Sequence, residues 1–496
     1  MLNLITDAWI PVQRMDGSRD VIRPDQIAEP DVLFPDWPRA DLNLACLELL
    51  VGLVYLADPP TSVEDWKTRE PDAARLREAL KGLTPAFNLL GDGPRFLQDF
   101  DEITGSGNPP DMLFIDSAGG STAKKNADLM VKRGRYPGLP LPLAAMALFT
   151  LQAFAPSGGA GNRTSMRGGG PMVTLVQPAE PGLWNLIWAN VPQGEALEAD
   201  ELEELPWMRP TETSEKGQVK AQPEGDFLPP EMFFGMPRRL KLTAVNSDNS
   251  ALVTGVVQKT YGTNYGAWRH PLSPYNRRDA EIFAKRPRPG NFGYRNWRGI
   301  VFQGEGVDRA ACLQRYLTHY PKHHFHLLVG GWAVDKATPQ DFLWSQARVV
   351  PLNEAGEVLA GRLVEAAEQI GFALASNTRQ GMGEGEIGTG AANRVREQFF
   401  QLTQAPFEAQ LDRISAGQGA AVPTAWLALC RSEALRLFDT EVMQGLADLS
   451  ETRRKGAVEA RRNLLGALAG YGSLGKKIFT ALELELPKRS KKEDAA

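Results

Sequence analysis

The sequence predicts an α+β protein, with a large mixed α/β N-terminal domain with irregular loops followed by an α-helical (four-helix) bundle. Three observations predict it. Apolar residues recur at both strand and helix spacing through residues 1–353. Long stretches rich in Gly, Ser, Asn and Pro interrupt those elements. From Glu354 onward the apolar spacing is helical throughout. At 496 residues the chain is too long for one ordinary core. The expected domains are residues 1–353, residues 354–485 for the bundle, and a charged, disordered tail over 486–496.

The first element is a short strand within Leu2–Val12, ending near Pro11. Asp41–Leu56 carries Leu44, Leu47, Leu49, Leu50, Leu53 and Val54 as a helical stripe. Asn108–Gly138 is rich in Gly, Ser, Asn and Lys and reads as a long loop. Pro142–Phe154 reads as an apolar helix that runs directly into a Gly-rich stretch. Strand-like runs follow at Met172–Val176 and Leu240–Val257. Leu359, Leu363, Ala366, Ile370 and Leu374 open the helical region, with Trp426, Leu429, Leu435, Phe438 and Val442 further on.

Composition narrows the function. The apolar share of 43% and charged share of 23% are those of a globular protein. No signal peptide, membrane span or membrane partner is expected, since no uninterrupted apolar run reaches about 18 residues. The cysteines Cys46, Cys312 and Cys430 are far apart and form no CxxC pair, which suits a reducing cytoplasm. Net charge is −5, yet basic residues cluster. Lys124, Lys125, Lys132, Arg133 and Arg135 share one window with a single acid, Asp128. Trp268–Arg298 is basic and carries Trp268, Tyr275, Phe283, Phe292, Tyr294 and Trp297.

No catalytic machinery is legible. His319, His323, His324 and His326 lie together, but no carboxylate falls within eight residues on either side. Gly383–Gly388 spells GxGxxG, but it follows a helical run and carries Glu384 and Glu386, which would repel a pyrophosphate. It reads as a loop of the bundle. No cofactor is expected, and no enzyme activity. The most informative stretch is Ala155–Pro171, dominated by small residues and holding Arg163 and Arg167. Glycine permits close backbone approach to a ligand, and the apolar runs on both sides anchor the segment.

That stretch, APSGGAGNRTSMRGGGP, is similar to the glycine loop of the CasA family, the large subunit of type I-E CRISPR Cascade. Leu4–Val12 resembles the family's first strand. Gln258–Pro274 resembles its central region, where a lysine stands nine residues before Trp-x-His-Pro-x-Ser-Pro. Gly330-Gly331-Trp332 resembles a Gly-Gly-aromatic turn before the family's wedge hairpin. All fall in family order.

The resemblance implies recognition of the motif flanking a double-stranded DNA target (the PAM) through the minor groove, followed by duplex opening for R-loop formation. It implies the other Cascade subunits, crRNA and a recruited nuclease-helicase as partners. By position Lys259 matches the lysine finger, and Ser157, Gly158, Gly159, Ala160 and Gly161 match the glycine loop. Asp335 and Lys336 stand at the wedge. Lys124, Lys125, Lys132 and Arg133 fall in the family's long DNA-contacting loop. Lysine only donates, and the minor groove shows A·T and T·A alike as acceptors, so a degenerate motif is expected. Two rival readings are a stand-alone single-strand binder that stacks bases on the Trp268–Trp297 aromatics, and a metal hydrolase built on the His319–His326 cluster.

Overall fold

The structure is a computed structural model, describing residues 2–117, 134–225, 227–247, 250–279, 281–290, 292–335, 338–383, 385–448 and 450–487. Lys124, Lys125, Lys132, Arg133 and Lys336 lie outside the described residues. The chain forms two compact units, one of Met1–Gly290, Gly306–His319 and Phe325–Gln346, the other of Asn291–Glu305, Tyr320–His324 and Ala347–Ala496.

The first unit begins with strands β1 (Ile10–Arg14), β2 (Arg19–Ile22) and β3 (Val32–Pro35), an antiparallel sheet of order β2-β1-β3. The expected strand over Leu2–Val12 starts only at Ile10. Before it, the Asn3 carboxamide oxygen accepts from the Ile5 and Thr6 amides at 3.0 and 3.2 Å, and the Asp7 carboxylate accepts from Asn3 N–H at 2.9 Å. Such local side-chain bonds favour a turn over a ladder.

Helix α1 (Ala40–Ala57) is the core of this unit. It is apolar enough to cross a membrane by composition, with a mean hydropathy of 1.7, but 89% of it is buried inside the protein. Helices α2 (Val63–Thr68) and α3 (Ala73–Leu80) follow, capped at their N-termini by Ser62 and Asp72. Strand β4 (Leu139–Pro140) leads into α4 (Leu141–Phe154), which has Pro142 in its first turn, packs on α1 and delivers the chain into the Gly-rich segment. Strand β5 (Val173–Gln177) and helix α5 (Leu183–Asn190) come next. The run Leu240–Val257 is a hairpin rather than one strand. β6 (Arg239–Ser247) and β7 (Ser250–Lys259) pair from Ser247–Ser250 to Arg239–Lys259, which puts Lys259 at the open end.

Strands β8 (Tyr275–Arg278), β9 (Glu281–Ala284) and β10 (Val307–Asp308) form a small sheet, followed by α6 (Ala311–His319). Strands β11 (Phe325–Asp335) and β12 (Thr338–Val349) add to β5 in the order β12-β11-β5. Gly330 and Gly331 therefore lie inside a strand and make no turn. They are small because of their neighbours. A Cβ on Gly330 would sit 2.7 Å from Leu44 Cδ2 of α1, and one on Gly331 would strike the Pro171 carbonyl oxygen.

The second unit carries the expected bundle: α7 (Glu354–Met382), α8 (Glu386–Ser415), α9 (Val422–Phe438), α10 (Glu451–Leu468) and a short fifth helix, α11 (Gly472–Ala481). The Asn353 side chain caps α7 by accepting from Gly356 N–H at 2.8 Å. The GxGxxG sequence spans the α7–α8 junction, with Gly383 at φ 87°. The core is aromatic. Tyr294 stacks on Phe407 with centroids 4.4 Å apart, donates to or accepts from Thr403 Oγ1 at 2.7 Å, and meets Trp426 edge-on at 5.8 Å.

Trp268, Tyr275, Tyr294 and Trp297 are thus core residues, each at most 5% exposed. This takes these four rings out of the rival stacking platform, because a ring sealed in a core offers no face to a base, and leaves Phe283 as the exposed ring of that window at 47%. Truncating Phe407 removes the stack under Tyr294. Phe407→Ala should cost about 3–5 kcal/mol in denaturant unfolding monitored by tyrosine and tryptophan fluorescence; a loss under about 1 kcal/mol would mean the cluster is loosely packed.

Candidate nucleic-acid interface

The Gly-rich segment is a closed loop, not a linker. Ser165 N–H donates to Ala155 O at 3.0 Å and closes its neck. A tight turn follows, with Gly168 N–H on Ser165 O at 2.8 Å and Ser165 Oγ on Gly168 O at 2.6 Å. A Cβ on Gly169 would crowd Pro156 Cα at 3.3 Å. Beyond the neck, Ser157, Gly158, Gly159 and Ala160 are all exposed. Gly159 and Gly161 hold φ of 88° and 78°, a conformation that glycine takes without strain.

The structure brings Lys259 to this loop. Tyr261 N–H donates to Gly161 O at 2.6 Å, and Gln258 Nε2 donates to Asn162 Oδ1 at 2.8 Å, so Lys259 is bracketed by two bonds to the loop. Its side chain is exposed and has no ion pair among the described residues. Tyr261 itself takes φ 63°, an uncommon value for a bulky residue, and a Cβ on the following Gly262 would strike the Pro237 carbonyl oxygen.

Beneath the loop lies a buried polar cluster. Arg167 and Glu48 of α1 pair at 2.6 Å with both side chains 2% exposed. Arg167 Nη1 lies 3.3 Å from Ser273 Oγ, which donates to Met172 O at 2.7 Å. His270 Nδ1 accepts from Leu272 N–H at 3.3 Å, which puts the proton of the neutral ring on Nε2, facing Glu48 Oε1 at 3.5 Å. Burial, and then the Arg167 charge, hold the His270 pKa well below its usual value. Burial pushes Glu48 upward, with Arg167 pulling against it. The Trp-x-His-Pro-x-Ser-Pro motif is therefore structural. Its Trp268 Nε1 donates to Lys220 O at 2.9 Å, and Tyr275 OH bridges Trp268 O and His270 N–H at 3.0 and 2.7 Å.

Sequence alone does not separate Arg163 from Arg167; burial does. Arg163 is only half-buried; it donates to Ser214 Oγ and O at 2.7 and 3.0 Å and lies over the Tyr261 ring at 5.7 Å. Arg238 escapes sequence reasoning altogether. Gln152 of α4 holds its backbone with two bonds of 3.0 and 2.9 Å, and its guanidinium reaches back to Pro156 O at 2.5 Å. Burial pulls its pKa down to about 10. A basic pair before an apolar strand carries no signal of that burial.

Asp335 is exposed at the end of β11, beside the undescribed Lys336. Near its turn, the hairpin packs on the loop's exit: a Cβ on Gly170 would lie 2.8 Å from Val334 Cγ2. The histidines do not converge. His319 packs edge-on against Trp66 at 6.0 Å, and His323 stacks on Tyr320 at 4.7 Å. Among the described residues no group of three or more metal-ligating side chains forms.

The family model described as CRISPR-associated protein Cse1 matches residues 3–437. Solved structures share the fold over nearly the whole chain. CasA from Thermus thermophilus superposes with a TM-score of 0.72 at 17% identity, covering 96% of this chain and 99% of that one. Cse1 from Acidimicrobium ferrooxidans gives 0.69 at 18%, covering 97% and 98%. A chain of a CRISPR RNA-guided surveillance complex gives 0.67 at 13%, covering 94% and 99%.

Two substitutions test the base of the loop. Arg167→Met strands the buried Glu48 carboxylate and should cost about 3–5 kcal/mol, with much of it recovered in the Arg167→Met/Glu48→Leu double variant. Equal losses in the single and double variants, read by denaturant unfolding, would show that the pair does not couple.

Proposed function

The chain belongs to the CRISPR-associated protein Cse1 family, and from that membership we propose that it is the large subunit of a type I-E Cascade complex. In this reading it recognises the motif flanking a double-stranded DNA target through the minor groove and begins to open the duplex. The observation that carries the reading is the bracketing of Lys259 by the Ser157–Gly161 loop. Small residues let backbone enter a groove about 6 Å wide, and a lysine beside them donates to the N3 and O2 acceptors at its floor. Ser157 and Ala160 widen the loop slightly where the family can carry glycine.

Residues 1–353 would carry DNA reading and residues 354–485 the bundle, with 486–496 as a tail. Asp335 and Lys336 would separate the strands, and Lys124, Lys125, Lys132 and Arg133 would contact phosphates. The partners would be crRNA, the other Cascade subunits and a recruited nuclease-helicase. Cleavage would belong to that enzyme and not to this chain. Sequence specificity would come from guide pairing. A cytoplasmic location suits three buried free cysteines, with burial pushing the Cys46 and Cys312 thiols up to about 12.

Lys259→Ala, assembled into the complex, should weaken binding to a flanked duplex by about 1–3 kcal/mol. Binding to a target already opened as a bubble should stay near wild type. Equal losses on both substrates in a filter-binding titration would remove Lys259 from motif recognition.

A further inference from the structure

Most arginines of the first unit meet carboxylates: Arg14, Arg39, Arg69 and Arg239 each pair with at least one aspartate. Around the glycine loop this pattern breaks. Among the described residues Arg163, Arg238 and Lys259 have no carboxylate partner. Arg238 is the extreme case. It is 6% exposed, and among the described residues its Nε has no hydrogen-bond partner and its one side-chain bond goes to a neutral carbonyl. A buried cation without a counter-charge is costly, and such a group calls for an explanation.

Its position supplies one. Arg238 Nη1 lies 2.7 Å from where a Cβ on Gly158 would be. The guanidinium is pressed against the inner side of a residue whose other side is exposed, so one glycine separates it from solvent. Above it, among the described residues, none of the backbone N–H groups of Ser157–Gly161 has a hydrogen-bond partner. Consecutive free N–H groups in a turn with positive-φ glycines form a concave anion seat. Loop N–H groups without a partner among the described residues, and cations near them without a carboxylate, favour one kind of ligand, an anion with several acceptor oxygens.

We propose that the outer face of Ser157–Gly161 seats one backbone phosphodiester of the flanking duplex, held by the loop's N–H groups and by the charge of Arg238 and Arg163. This rests on the reading of the loop as a duplex reader, and it separates two jobs: Lys259 donates to bases while the loop holds the strand. Arg238 acts as a positioning residue from beneath, and Arg163 supplies charge at the edge.

The test uses the assembled complex and flanked duplexes in which one phosphate at a time is replaced by a neutral methylphosphonate. Wild type should lose affinity sharply at one position near the motif. Arg238→Gln should lose little more at that position, and its log–log salt slope should fall by about one unit. Arg238→Lys should recover the slope. Arg163→Gln provides the same comparison from a less buried site should Arg238→Gln fail to assemble. Wild-type slopes in the glutamine variants, with every methylphosphonate costing what it costs wild type, would overturn the seat. Lys259→Ala in the same assay keeps the two ideas apart. A selective loss there with null arginine results removes the seat alone. Wild-type discrimination between flanked and unflanked duplexes by Lys259→Ala removes the reading of the loop as well.

Discussion

The buried pair of Arg167 and Glu48 is the constraint on which the rest of the first unit depends. Two charges at 2% exposure are tolerated only because each is the other's partner and because Ser273 Oγ lies within reach of the Arg167 guanidinium. Glu48 belongs to the central helix α1, and Arg167 to the exit of the glycine loop. The pair therefore ties an irregular surface segment to the best-packed element of the unit. With its base fixed, the loop can expose Ser157–Ala160, small residues with little packing of their own.

Small residues extend that logic along the chain. Gly169 lets the loop's exit lie against its entrance, Gly170 lets it lie against Val334, and Gly331 lets β11 pass close to Pro171. Gly330 does the same toward Leu44 of α1. A side chain at any of these would push the loop, the hairpin and the core helix apart. The glycine loop and the β11–β12 hairpin are thus braced against a common floor, although they are far apart in sequence.

Much of this was legible in the sequence. The helix over Asp41–Leu56 and the bundle beginning at Glu354 follow from apolar spacing, and the anchoring of the Gly-rich segment follows from the apolar runs on either side of it. What was not legible was decided by tertiary contacts. Asn3 folds the start of the chain into a turn by bonding its own backbone. Trp268 and Tyr294 stand in a basic window rich in aromatics, yet they fill cores. Gly330-Gly331 looks like a turn because glycine usually marks one, whereas here it marks close packing inside a strand. Arg238 has no sequence signature, because its burial comes from Gln152 and Pro156, about eighty residues earlier in the chain.

The central claim is that Ser157–Gly161 enters the minor groove of duplex DNA, and the chain is well suited to a direct measurement. All three cysteines are buried, so a single new thiol at the loop tip can be labelled selectively. A hydroxyl-radical-generating iron chelate attached to Ser157→Cys, in the assembled complex on a flanked target, should cut both strands beside the motif. The two cutting maxima should be shifted toward the 3′ side of each strand, the pattern of radicals released in the minor groove. Maxima shifted toward the 5′ sides, or cutting confined to sequence away from the flanking motif, would contradict the account.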